Sequence, residues 1–221
     1  MEARLMPLQY PLSLADFFDT LPVKNVIARP GRAVTTSETG GGEFIAHNRG
    51  ARLWHGKVVL DKDHHRFWAA TEAVLSLLEE AGASFLLWDV RMRGPIADPD
   101  KTLLGAATPV IADVAANNRE LDLSGLPAGY VLQRGDLLGF QYGSNPKRYA
   151  YHRVVTGDTA SLGGTARNIE VTPFLRPGAI VGTFVTLGTP VLKARLSEAD
   201  YGASRAAISE GGSFNWIQTL R

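Results

Sequence analysis

Histidine is the side chain in this sequence that could most readily supply a metal ligand, and it occurs five times. Zinc sites that are recognisable from sequence space their ligands at short fixed intervals, such as two His on one helix face. None of those spacings joins the five histidines, which are His47, His55, His64, His65 and His152. The sequence therefore predicts no metal site, and adjacent His64 and His65 are expected to point to different faces of a first helical turn.

Three aspartates lie close enough along the chain to suggest a calcium site: Asp89, Asp98 and Asp100. An EF-hand loop needs oxygen ligands at alternating positions and a terminal Glu. This segment has neither feature, so a solvated turn is the favoured interpretation.

Glycines 40–42 could be taken for a phosphate-binding loop. Such a loop continues into Lys followed by Ser or Thr, whereas Glu43, Phe44 and Ile45 follow here and are typical of a strand. A hairpin turn or flexible loop is expected, and no cofactor-binding residue is assigned.

Serine nucleophiles gain no support from the sequence. There is no Gly-x-Ser-x-Gly elbow, and the loops that contain Ser carry no neighbouring His that would place a base beside a nucleophile. We therefore assign no catalytic residue and expect that the chain is not an enzyme.

Arg134, Gly135 and Asp136 spell a known adhesion tripeptide. Three residues recur by chance, and Gly followed by Asp is typical of a tight turn. We expect a turn that leads into a strand, and no adhesion site.

Alternating Arg148, Tyr149, Tyr151 and Arg153 could stack on and neutralise a nucleic-acid strand, as small β-barrels do. The same pattern is also typical of a strand with one solvated face. Without a basic domain around it, the second interpretation is favoured, and no specific nucleic acid is expected as a partner.

Composition limits the possible partners further. The 221 residues contain no Cys, and 23 Lys and Arg balance 22 Asp and Glu to a net charge of +1. No global field therefore attracts nucleic acid or an anionic membrane, and thiol redox or thiolate metal chemistry is excluded. Met1 to Tyr10 shows no export signal, and no segment approaches the roughly 20 apolar residues of a membrane span.

The clearest element is an amphipathic helix from about Asp63 to Ala81. Asp61 or Asp63 is expected to cap its start, and Gly82 supplies a left-handed residue after its last turn. Helical spacing predicts one buried face, made of Phe67, Ala70, Val74, Leu77, Leu78 and Ala81.

Strand-like segments flank this helix at residues 52–60 and 84–89. A short helix over residues 14–21, capped by Ser13, is expected before them. Residues 23–28 and 43–47 are expected to form strands around the turn at residues 39–42.

A turn-rich segment at residues 94–100 marks a domain or insertion boundary. Beyond it, short strands are expected, and their spacing predicts a small barrel or sandwich. Edge strands near Trp54 and Trp216 are candidates for subunit contacts, with core packing an equal alternative for Trp216, and Trp88 is expected to pack in the core. The expected strands are 130–133, 136–140, 148–155, 168–171, 179–185, 191–196 and 214–220.

Taken together, several segments resemble distal tail proteins of long-tailed bacteriophages and of related prophage particles. These proteins form the ring between the tail tube and the baseplate. The segments that carry the resemblance are residues 11–22, 39–43, 52–58, the predicted helix, 84–89, 135–140, 151–155 and 171–178.

The resemblance implies a mainly β (α+β) fold: a β-sandwich or split-barrel hub domain with one packed helix, plus an inserted small β-barrel-like domain. The hub would comprise residues 1–95 and 190–221, and the insertion residues 96–189. It also implies a homohexameric virion ring, synthesised in the host cytoplasm, that contacts the tail tube protein, the baseplate or tail-tip hub and the tape measure protein.

Two other classes of function remain as alternatives. One is a host-surface glycan-binding tail module, in which Tyr149 and Tyr151 of the inserted domain would stack on sugar rings. The other is a cell-wall hydrolase at the tail tip, which needs a pair of carboxylates that the sequence does not provide.

Overall fold

A computed structural model describes residues 8–221, and residues 1–7 lie outside the described range. Most of the segment on which we based the expected absence of an export signal is therefore not described. The predicted mainly β fold class is confirmed, since fifteen strands accompany a single α-helix among the described residues. In chain order the elements are a 3-10 helix (Phe18–Thr20), β1 (Val23–Pro30), β2 (Val34–Glu38), β3 (Phe44–Asn48), β4 (Trp54–Leu60), β5 (Asp63–His64), α1 (His65–Leu78), β6 (Phe85–Leu87), β7 (Val110–Val114), β8 (Glu120–Ser124), β9 (Leu137–Tyr142), β10 (Arg148–Thr156), β11 (Ala166–Thr172), β12 (Val185–Thr186), β13 (Leu192–Asp200), β14 (Ile208–Ser209) and β15 (Ser213–Gln218).

Strands from both ends of the chain build a five-stranded sheet in the order β1-β4-β15-β13-β6. Alternate side chains such as Val58 and Phe214 point into a core that α1 and the 3-10 helix also line. The expectation that Trp54 and Trp216 lie on edge strands is wrong: β4 and β15 are interior strands, and both indoles are buried. Their large apolar area favours the centre of the sheet. The edges are β1 and β6.

The predicted helix forms as α1, but its buried face is rotated by about one residue from the expected one. Trp68, Leu75 and Leu78 are buried, whereas Phe67 is 51% exposed. The predicted face, with Phe67, and the observed face, with Trp68, both follow the three- and four-residue spacing of a helix. The face that contains the larger Trp68 side chain packs against the core.

The two ends of α1 differ in how well they were predicted. Neither Asp61 nor Asp63 caps the first turn, because the His64 N-cap makes no side-chain hydrogen bond and the backbone N–H of His65 donates to the Ala207 carbonyl at 3.1 Å. The first backbone N–H of the helix is therefore satisfied by the Ala207 carbonyl and not by an Asp side chain. Gly82 has φ +97°, which confirms the predicted left-handed residue.

Beyond the pairing of β1 with β4, the chain continues as a separate two-stranded hairpin of β2 and β3, which we call the arm. The predicted turn at residues 39–42 is confirmed, with the Gly42 N–H donating to the Thr39 carbonyl at 2.9 Å. The strand before the turn is β2, however, and not residues 23–28. β2 has no buried side chain and therefore lacks the pattern that identifies a half-buried strand.

The middle of the chain forms a six-stranded sheet in the order β12-β9-β10-β11-β8-β7. Backbone hydrogen bonds join its two edges, from Ile111 N–H to the Thr183 carbonyl and from Val185 N–H to the Pro109 carbonyl, each 2.9 Å. The sheet thus curls around its own hydrophobic core. Residues 130–133, predicted as a strand, form only an isolated bridge at Val131, and of the predicted strand 179–185 only a bridge at Phe184 and the first residue of β12, Val185, are extended pairs. β7 and β8 were not predicted.

Aromatic and amide side chains join the two sheets. Trp54 Nε1 donates to the Tyr151 carbonyl at 2.7 Å, and the two rings meet edge to face at 5.0 Å. Gln218 accepts from the Trp54 backbone N–H at 3.2 Å and donates to the Tyr149 carbonyl at 3.1 Å. The division into residues 1–95 with 190–221 and residues 96–189 stays a prediction.

Candidate functional site

A groove of about 470 Å³ lies at the root of the arm. One wall is formed by the root of the arm, where Val34 pairs with Asn48, together with residues 50–52. The opposite wall is the loop that follows β11, residues 173–177. The groove therefore lies where the five-stranded sheet, the arm and the six-stranded sheet meet.

The charged side chains that line this groove are all cationic: Arg32, Arg52 and Arg176. Arg52 donates to the Gly31 carbonyl at 2.9 Å and to Thr172 Oγ1 at 3.3 Å, and Arg176 donates to the Arg52 carbonyl at 3.3 Å. Burial lowers the pKa of Arg176. Within residues 8–221, none of the three forms an ion pair with a carboxylate. The groove therefore offers a positive potential and free donors between apolar walls.

The arm is exposed along almost its whole length. Every residue of β3 is exposed, and in β2 only Val34 is partly covered. Phe44 is 72% exposed and Ile45 is 43% exposed. Two carboxylates, Glu38 and Glu43, flank the turn. Because a two-stranded hairpin alone is only marginally stable in water, an arm of this kind gains stability by packing on another surface.

The groove and the first strand of the arm were not predicted from the sequence. Arg52 and Arg176 meet although they are 124 residues apart, and no local pattern joins them. A usable signal did exist in the arm, because Glu38 and Glu43 lie symmetrically about a glycine turn beside exposed Phe44.

The outer face of the five-stranded sheet is basic. Arg29 Nε donates to His55 Nε2 at 3.3 Å, and Lys57 lies nearby beside the exposed side chains of Ile27 and Ile217. This face borders a shallow depression of about 380 Å³. It is a second surface whose apolar and cationic groups are open to a partner.

The only histidine in the core of the described chain is His152. Its Nδ1 lies 2.7 Å from the Pro173 carbonyl, so the ring donates from Nδ1, and it stacks on Phe140 at 5.7 Å. Burial, assisted by the charge of Arg176, lowers its pKa to about 4. The neutral ring holds β10 against the loop that forms one wall of the groove.

The other four histidines are dispersed. His47 lies on the arm, His55 on the outer face of the five-stranded sheet, and His64 and His65 at the start of α1. Across residues 8–221, no group of three His, Cys, Asp or Glu side chains could hold a metal ion.

Two of the three clustered aspartates, Asp89 and Asp98, have structural partners, whereas Asp100 is exposed. Asp89 forms a 2.6 Å ion pair with Arg91, and buried Asp98 accepts hydrogen bonds from the Leu103 and Leu104 N–H groups at 3.1 and 2.8 Å. Burial acts to raise the pKa of Asp98, but these bonds and one from the Tyr130 hydroxyl outweigh it and lower the pKa. The solvated turn predicted here is wrong for these two residues, because both carboxylates are buried.

The adhesion tripeptide is a turn, as predicted. Gly135 has φ +104°, and the fully buried Asp136 accepts hydrogen bonds from the Ile96 and Gln133 N–H groups, both at 2.7 Å. Burial raises the pKa of Asp136. The Asp136 carboxylate therefore stabilises the turn and is not accessible to a receptor.

The predicted solvated face of β10 is wrong. Tyr151 is 2% exposed, and the Arg153 guanidinium lies 5.4 Å from the Trp54 ring. Both faces of this strand pack, because β10 lies between the two hydrophobic cores. Tyr151 therefore cannot stack on a base or a sugar ring while the two sheets remain together.

No protein-family model and no curated protein matches the chain. Among residues 8–221, the helix is too short and too polar to cross a bilayer.

Proposed function

We propose that this chain is a structural virion protein, a distal tail protein that forms a homohexameric ring joining the tail tube to the baseplate or tail-tip hub. The particle would be a long-tailed bacteriophage or a related prophage tail. The proposal assigns no catalytic activity and no cofactor, and it locates the mature protein in the virion tail.

The observation that carries the proposal is the arm. It exposes Phe44 and Ile45 on a hairpin that lies outside the five-stranded sheet. Apolar side chains at such a position favour burial against another protein, since each large side chain is worth about 1.5–3 kcal/mol when it is removed from water. A subunit that presents such an arm is suited to assembly.

The sequence resemblance supports the same role. The segments that carry it form the framework, with residues 52–58 largely in β4, 84–89 around β6 and 135–140 at the start of β9. Motifs of this kind describe a scaffold, which agrees with a structural component.

The oligomeric state of the purified chain tests the proposal. We expect light scattering after size-exclusion chromatography to give the mass of a hexamer, and electron microscopy of that fraction to show rings. A chain that stays monomeric at every concentration, and also in the presence of a purified tail tube protein, contradicts the proposal.

The alternative of a glycan-binding tail module loses one of its two proposed stacking residues, because Tyr151 is buried. A glycan array with the wild-type chain separates the two functions. Binding to a defined glycan that Tyr149→Ala abolishes would favour the glycan module over the ring.

A further inference from the structure

We propose that the tip of the arm of one copy docks into the arginine-lined groove of a neighbouring copy. The proposal rests on the proposed function and deepens it, because it names the surfaces through which the ring closes. The two surfaces are the tip (Glu38, Glu43, Phe44 and Ile45) and the groove at the root of the arm (Arg32, Arg52, Arg176 and the loop of residues 173–177).

Charge complementarity selects this occupant. The tip carries two carboxylates on either side of the turn, and the groove carries three guanidinium groups without a carboxylate in its walls. Arg52 and Arg176 are held by carbonyl acceptors and so keep their orientation, while Arg32 is exposed. A carboxylate that enters this groove would gain charge-assisted hydrogen bonds to fixed donors.

Both surfaces also carry apolar side chains that could pack together. Phe44 is the most exposed aromatic side chain of the described residues, at 72%, and it adjoins Glu43. The groove presents Val34, Leu175 and the half-exposed ring of Phe174. Docking would cover Phe44 while its carboxylate neighbour meets the arginines.

A subunit cannot make this contact with its own arm. The pair Val34 and Asn48 lines the groove, whereas the pair Glu38 and Phe44 lies at the other end of the ladder. Four residue steps of about 3.4 Å separate the pairs, roughly 14 Å along a hydrogen-bonded hairpin. The tip must therefore reach a second copy.

A contact between two different surfaces is heterologous, and it repeats from copy to copy. Such contacts close into a ring when the rotation between neighbours permits, and otherwise extend into a filament. The tip-to-groove contact gives every subunit one donor surface and one acceptor surface, as a ring requires.

Charge reversal on each surface of the full chain tests the proposal. We expect Glu38→Lys with Glu43→Lys, and separately Arg32→Glu, to raise the concentration for half-assembly by at least about tenfold. Phe44→Ser is expected to act similarly. The matched control for the tip pair is Glu80→Lys with Asp113→Lys, which gives the same change in net charge. The matched control for Phe44→Ser is Leu162→Ser, which removes an apolar group that is 97% exposed and lies outside both surfaces.

A mixture of the two defective variants provides the sharpest test. The tip variant used in the mixture is Phe44→Ser, which keeps a normal groove and adds no positive charge that could pair with the new carboxylate of Arg32→Glu. The Arg32→Glu variant keeps a normal tip, so one intact interface remains. We expect the equimolar mixture to form a heterodimer that grows no further, measured by native mass spectrometry with one variant isotope-labelled. Circular dichroism of each variant alone checks that it is folded.

The outcomes separate the two proposals. If the tip variant forms the same hexamer as the wild-type chain, at the same concentrations, the docking contact is wrong and the proposed ring still stands. Loss of tail-tube binding in Arg32→Glu without loss of self-assembly also overturns the docking contact, and assigns the groove to that partner. If the wild-type chain never self-associates, the docking contact is wrong. The measurement with purified tail tube protein, described under the proposed function, then decides whether the chain assembles on that partner.

Discussion

At the scale of the residue, buried His152 connects stability to pH. Burial and the positive charge of Arg176 oppose protonation of this imidazole and lower its pKa to about 4, although its hydrogen bond to the Pro173 carbonyl acts in the opposite direction. Unfolding returns the ring to water, where its pKa is about 6.5. Between these values the unfolded chain binds a proton that the folded chain does not.

We therefore expect the free energy of unfolding to decrease as the pH falls from about 6.5 towards 4. The contribution is on the order of 3 kcal/mol, since each pH unit across this window is worth about 1.4 kcal/mol. Urea unfolding at pH 7, 6 and 5 measures it. The His152→Gln variant should lose this part of the slope, and an unchanged slope would contradict the assignment.

At the scale of the element, α1 shows how far sequence periodicity reaches. The spacing of apolar residues located the helix, but α1 ends at Leu78, three residues before the predicted end at Ala81. The same spacing could not distinguish a stripe through Phe67 from one through Trp68, because adjacent residues are separated by only about 100° around the axis. The choice depends on which side chain fills the core beneath the five-stranded sheet.

The two aromatic residues give a direct test of this assignment. Trp68→Ala should lower the free energy of unfolding by about 3–5 kcal/mol, because it leaves a cavity in the core. Phe67→Ala is the matched control and should cost less than about 1 kcal/mol, since Phe67 is 51% exposed. Equal effects in guanidinium unfolding would contradict the observed orientation of the helix.

The arm marks the other limit of the sequence analysis. The turn at residues 39–42 was predictable from its glycines, and β3 from its apolar residues. β2 was missed because four of its residues, Thr35 to Glu38, are polar and none of its side chains is buried, so no alternation reveals it. A strand that buries none of its side chains carries little of the usual signal.

At the scale of the whole molecule, the junction around Gln218 couples the two sheets. Its amide binds the Trp54 N–H from one sheet and the Tyr149 carbonyl from the other. Such long-range contacts, like the meeting of Arg52 with Arg176, depend on the complete topology. For that reason the sequence analysis identified the β-rich class but not the groove.

Replacing this amide should loosen the junction. Gln218→Leu leaves a buried N–H and carbonyl without partners, and we expect it to cost about 1–3 kcal/mol. Amide hydrogen exchange should show faster exchange at Trp54. The exposed Gln133→Leu is the matched control, and equal exchange in both variants would contradict the coupling role of Gln218.

The order of strands in the five-stranded sheet has a consequence for synthesis. β15 lies between β4 and β13, yet it is the last of the described strands to leave the ribosome. The six-stranded sheet, from β7 to β12, is complete earlier and can fold first. In a nascent chain, β4 therefore lacks its neighbour β15 until residues 213–218 emerge. Translation that stops before this point leaves β4 and β13 without the strand that lies between them, so the five-stranded sheet cannot form.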